Sequence, residues 1–132
     1  MTELAVERTL VAGPAAGPAL VLDEPLSFWG GLDAETGRIT DAHHPQVGES
    51  IAGTVLVMAV GRGSSSASSV LAEAIRLGTA ARAMVMRESD EIIVLGAIVA
   101  EELYGITMPI VLVSAETMAG IATGESVTIV DR

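Results

Sequence analysis

The sequence predicts a mixed α/β fold in a single domain, and three observations carry that prediction. From Val55 onward, β-branched runs alternate with helical patterns, the signature of parallel βαβ units. Before Val55, short apolar runs are broken by Gly- and Pro-rich turns, which reads as antiparallel or barrel-like sheet. Half of the 132 residues are hydrophobic but only 2% are aromatic, so Val, Ile, Leu, Ala and Met must build the core. No internal repeat, low-complexity tail or linker divides the chain, so the expected domain spans residues 1–132.

The elements follow in order. Glu3–Val11 reads as a strand that enters the turn-rich stretch Ala12-Gly13-Pro14-Ala15-Ala16-Gly17-Pro18, and Ala19–Leu22 as a second short strand. Pro25 opens an irregular segment in which Asp33–Gly37 turns the chain between Trp29–Leu32 and Arg38–Thr40. His43-His44-Pro45 and Gly48 continue the loop. A continuous apolar strand, Val55–Val60, leads into Gly61-Arg62-Gly63-Ser64-Ser65-Ser66-Ala67-Ser68-Ser69. A helix over Ser68–Leu77 follows, with Val70, Leu71, Ala74 and Ile75 on one face and Glu73 and Arg76 on the other. The rest alternates: strand Ala83–Met86, helix Ile92–Tyr104, strand Ile110–Val113, strand Val127–Val130. Arg87, Glu88, Asp90 and Glu91 read as a solvated turn, and Glu101-Glu102 as the wet face of a helix.

Charge and composition exclude several functions. With a net charge of −10, a pI near 4.4 and only seven Lys and Arg, the chain lacks the basic clusters that nucleic acid or an anionic membrane surface requires. No cysteine is present, so neither a disulfide nor a thiolate-held iron–sulfur cluster can form on this chain. The first eight residues carry two acids and no long apolar region, unlike a secretory signal, and no stretch reaches membrane-spanning length. A cytoplasmic location is the expectation.

The Gly/Ser run is the candidate site. A buried strand, a glycine-rich turn and a helix start bring backbone N–H groups and hydroxyls to the positive end of a helix dipole. That arrangement suits an anion, or a serine held as its alkoxide; the same residues also serve as a helix cap. The run is neither a Walker loop, for the Gly-Lys-Ser/Thr ending is absent, nor a nucleophile elbow. His43 and His44 offer a base for a serine hydrolase or, with Asp41, zinc ligands, but adjacent histidines diverge on most backbones and sit here beside a proline. Phe28 and Trp29 serve equally as packing anchors or as the wall of a cavity or partner interface.

Taken together and in order, Phe28-Trp29-Gly30-Gly31-Leu32-Asp33, Thr36-Gly37-Arg38-Ile39, Asp41, His44-Pro45, Gly48, Gly61–Ser66 and Leu95–Gly105 resemble the small subunit, or swivel domain, of the aconitase X family across nearly the whole chain. The resemblance implies a swivelling β/β/α fold and a large-subunit partner that holds an iron–sulfur cluster and most substrate contacts. It implies a hydro-lyase that binds a small anionic or zwitterionic hydroxy acid. One branch dehydrates cis-3-hydroxy-L-proline, another mevalonate 5-phosphate; Ala67, where the archaeal form tends to carry a glycine, favours the first. By the same resemblance Ser64 is the catalytic base, removing the proton α to a carboxylate while the cluster iron acts on the leaving hydroxyl. Arg62, Gly63, Ser65 and Ser66 are then the substrate-binding residues, and this chain holds no metal. Aconitases carry a carboxylate-binding arginine two residues after the serine; here Ser66 stands there, so that contact must come from elsewhere. The competing class is a non-catalytic module that uses the loop to hold a regulatory anion.

Overall fold

Small and large apolar residues alternate along the central strands, so the two faces of the sheet are unlike. The computed structural model describes residues 1–62 and 65–130. Through them run β1 (Thr2–Glu3), β2 (Arg8–Val11), β3 (Ala15–Val21), the short turn α1 (Phe28–Gly31), β4 (Leu32–Asp33), β5 (Arg38–Ile39), β6 (Val55–Val57), α2 (Ala67–Leu77), β7 (Ala83–Met86), α3 (Glu91–Tyr104), β8 (Ile110–Leu112), α4 (Ala115–Ala119) and β9 (Ser126–Ile129). Among the described residues, seven strands form one sheet in the order β1-β9-β3-β6-β7-β8-β2, and β4 pairs with β5 as a separate hairpin. Strands β3, β6, β7 and β8 are parallel neighbours, joined from β6 onward by the crossover helices α2 and α3. The expected βαβ half is thus present.

One face carries Leu20, Leu56, Met58, Met84, Met86 and Ile110, packed against Leu71, Ile75, Ile93 and Ala97 of α2 and α3. The other carries Ala19, Val55, Val57, Ala83, Val85, Val111, Val127 and Ile129, closed by Leu4 and Ile121. Small side chains on that face let the sheet curl inward. The chain itself demands the curl. Strands β1 and β2 are the two edges, yet only residues 4–7 separate them. Five Cα steps reach at most about 18 Å. The edges of a flat seven-stranded sheet lie about 29 Å apart. The edges must therefore approach each other, and Leu4 N–H bonds Thr128 O at 2.9 Å while Glu7 N–H bonds Leu112 O at 2.8 Å.

Most expected boundaries shift by a residue, and three differ by more. The strand expected over Glu3–Val11 is two strands, because its pairing partner changes from β9 to β8 across residues 4–7. Strand β3 begins at Ala15, inside the expected turn. Its residues 15–18 pair only with β9 and residues 19–21 with β6, so Pro18 sits where one side of the strand has no ladder and its missing N–H costs nothing. The strand expected over Val55–Val60 ends at Val57. Two short elements were not anticipated: α1, and α4, capped by Ser114, whose Oγ accepts the Thr117 N–H at 3.0 Å.

Candidate active site

The serine loop leaves the C-terminal end of β6 and enters the N-terminus of α2. Neighbours hold its first residues on both sides. Leu26, fully buried, donates its N–H to Met58 Sδ at 3.0 Å, and Ser27 pairs with Arg62 in a parallel bridge. From the other side, Arg87 and Glu88 donate their N–H groups to Ala59 O at 2.9 and 3.3 Å. The loop therefore starts from a fixed platform between the 26–31 segment and the end of β7.

Of the expected site residues, Arg62, Ser65 and Ser66 are exposed at this end of the sheet. Gly63 and Ser64 lie outside the described residues. The hydroxyl of Ser66, the residue at the N-cap of α2, makes no capping bond. Ser68 instead donates to Ser65 O through both its N–H, at 3.4 Å, and its hydroxyl, at 2.9 Å. The Ser66 hydroxyl is thus not consumed in the cap. Trp29, on α1, is 59% exposed, while Phe28 beneath it is buried. Gly30 takes φ 81°, and Ser27 Oγ donates to Trp29 O at 2.9 Å, so the turn presents the indole outward beside the bridge to Arg62.

The His44 ring is engaged away from the serine loop. His44 is buried; its Nδ1 accepts the Gln46 N–H at 3.0 Å, which leaves Nε2 to donate to Glu24 O at 3.0 Å. Both ring nitrogens of the neutral ring are committed to backbone. His43 is exposed, and its N–H is bound by Asp41 Oδ1 at 2.9 Å. Among the described residues, no three of His, Cys, Asp and Glu converge on a metal position. A cleft of about 370 Å³ lined by Ala15, Gly78, Arg82 and Met108 opens at the opposite end of the parallel strands, away from the loop.

Sequence reasoning missed Asp90, taken there as part of a solvated turn. It is the N-cap of α3, its Oδ1 accepting from Ile92 N at 2.9 Å and Ile93 N at 3.2 Å. The signal was present: an Asp immediately before an apolar helical run is an N-cap pattern.

A curled mixed sheet, two helices on its outer face and a serine loop at a helix N-terminus define a β/β/α swivel domain. The family model of the aconitase X swivel domain matches residues 5–132. A cis-3-hydroxy-L-proline dehydratase of Pseudomonas aeruginosa is 51% identical over 107 residues, covering 81% of this chain and 18% of the relative. A phosphomevalonate dehydratase small subunit of Thermococcus gammatolerans is 41% identical over 93 residues, covering 70% of this chain and 71% of the relative. The crystal structure of Thermococcus kodakaraensis aconitase X (holo-form) matches with a TM-score of 0.83 at 35% identity, covering 95% of this chain and 88% of that one. This chain belongs to the aconitase X swivel-domain family. It spans less than a fifth of the length of the cis-3-hydroxy-L-proline dehydratases it matches.

Proposed function

We propose that this chain, acting as one unit over residues 1–132, is the swivel-domain part of an aconitase X-type hydro-lyase that dehydrates cis-3-hydroxy-L-proline. The observation that carries the reading is the 51% identity to a Pseudomonas aeruginosa protein of that name, against 41% to a phosphomevalonate dehydratase small subunit. A larger partner, the zwitterionic substrate and a cytoplasmic location belong to the same proposal. So does an iron–sulfur cluster, which we assign to the partner. The residues of this chain do not fit one: the sequence has no cysteine, and the described residues form no metal-binding cluster. No step on this chain runs through the cluster.

The chain's part is proton transfer. Ser64 accepts the proton α to the substrate carboxylate, with Arg62, Gly63, Ser65 and Ser66 lining the substrate. A serine hydroxyl is a poor base unless its alkoxide is stabilised. The N-terminus of α2 supplies about half a positive charge. The Arg62 guanidinium adds a full one, and donors of this kind act most strongly where water is excluded. A second reading, a mevalonate-5-phosphate dehydratase, draws support from the 71% coverage of a relative named as a small subunit. Assembling the chain with its larger partner and assaying both substrates tests the choice. Turnover of cis-3-hydroxy-L-proline is expected. Turnover of mevalonate 5-phosphate alone would transfer the assignment to the second reading, and turnover of neither would favour a non-catalytic anion-binding module.

A further inference from the structure

We infer that α3 clamps the serine loop at both ends, with Asp90 as a positioning residue for the reaction; the inference rests on the reading of Ser64 above. The near end is Gly61. A β-carbon there would stand 2.5 Å from Cγ and 2.9 Å from Cβ of Asp90, so only glycine lets the loop backbone lie against that carboxylate. Asp90 cannot simply retreat, because its Oδ1 holds the N–H groups of Ile92 and Ile93 at the start of α3. The far end is Ser68. A β-carbon on Gly96 of α3 would lie 2.9 Å from Ser68 O and 3.2 Å from Leu71 Cβ, so the two helices touch there through backbone. Ser68 in turn holds Ser65 O through its N–H and its hydroxyl. A single helix thus meets the chain on either side of Ser64, at Gly61 and at Ser68. Small displacements of a proton acceptor are costly: about 1 Å of misplacement is worth on the order of 100-fold in rate.

The alternative is that Asp90 is a helix cap and nothing more. The assembled complex separates the two. Asp90→Ala is expected to lower kcat by roughly 10- to 100-fold, the scale of a displaced catalytic group, with KM little changed. Asp90→Asn keeps an acceptor oxygen and the volume against Gly61, and is expected to restore kcat to near the wild-type value. Gly61→Ala is expected to lower kcat by itself, and adding Asp90→Ala to it to cost less than the product of the two single effects, the mark of coupled neighbours. Amide hydrogen exchange at residues 65–68 of the complex is expected to quicken in Asp90→Ala and Gly61→Ala. This readout does not depend on turnover: if the wild-type complex fails to dehydrate either substrate, the functional reading falls while exchange still decides the clamp. An Asp90→Ala complex that melts earlier but keeps wild-type kcat and wild-type exchange at 65–68 would reduce Asp90 to a cap. Failure of Asp90→Asn to restore kcat would also overturn the claim, since charge and not position would then be at work.

Discussion

His44 and Ser66 show how differently polar residues are used in this chain. His44 lies buried with both ring nitrogens bonded to backbone, one accepting from Gln46 and one donating to Glu24. Removing the ring strands those two groups. His44→Ala is therefore expected to cost about 1–3 kcal/mol, from two lost hydrogen bonds worth roughly 1 kcal/mol each. A urea titration checks it, as a lower midpoint with an unchanged slope. Ser66 is the opposite case. Its hydroxyl makes no capping bond, so Ser66→Ala is expected to change stability by less than about 0.5 kcal/mol, the range of neutral surface substitutions. Ser65→Ala and Ser66→Ala are both expected to reduce kcat less than loss of Ser64, because binding a substrate is a smaller task than taking its proton.

At the scale of elements, α2 and α3 pack closely against each other beside the serine loop. Gly96 lies at that crossing, with Ser68 O and Leu71 Cβ in the space its side chain would fill. Gly96→Ala is expected to destabilise by about 1–3 kcal/mol, the usual cost of overpacking, and thermal denaturation would measure it. The βαβ half was legible from sequence because strands and helices there differ plainly in period: Val55–Val57 is a continuous apolar run, while Val70, Leu71, Ala74 and Ile75 recur at helical spacing. The first half was harder to read. Nothing local in Ala15–Pro18 says strand; those residues are held by antiparallel pairing with β9, more than a hundred positions away. The same holds for the break between β1 and β2, which exists because two distant strands compete for one short segment. That a turn links β6 to the start of α2 was legible from its glycines and serines. Its support was not, since the fit of Asp90 against Gly61 depends on a tertiary contact.

For the whole molecule, the curl depends on tying its thin edge, β1, to the rest. Thr2 donates its hydroxyl to Glu125 Oε2 at 2.6 Å, and Ala122 N–H binds Oε1 at 3.1 Å. These bonds, the Thr2 hydroxyl first, hold the Glu125 carboxyl below its ordinary value of 4.5. A carboxyl depressed on folding contributes stability above its unfolded pKa and loses it as pH falls through the folded one. The stability gap between the wild type and Glu125→Gln is thus expected to be constant near neutrality and to close below about pH 4.5, as read by urea titrations across pH. With a net charge of −10, nucleic-acid binding is expected to be negligible even at low salt, where a filter-binding or anisotropy assay would be most sensitive to it. With no cysteine, the isolated chain is expected to show no dehydratase activity.

The central claim is that this chain carries the proton acceptor of a shared dehydratase site, and Ser64→Ala in the assembled complex tests it most directly. Turnover of cis-3-hydroxy-L-proline would be measured alongside co-purification with the larger partner, so that lost chemistry is told apart from lost assembly. The account predicts intact assembly and a kcat lower by roughly two to four orders of magnitude, the worth of a positioned base. An assembled Ser64→Ala complex with near-normal kcat would contradict it, the more so if Ser65→Ala or Ser66→Ala abolished turnover in its place.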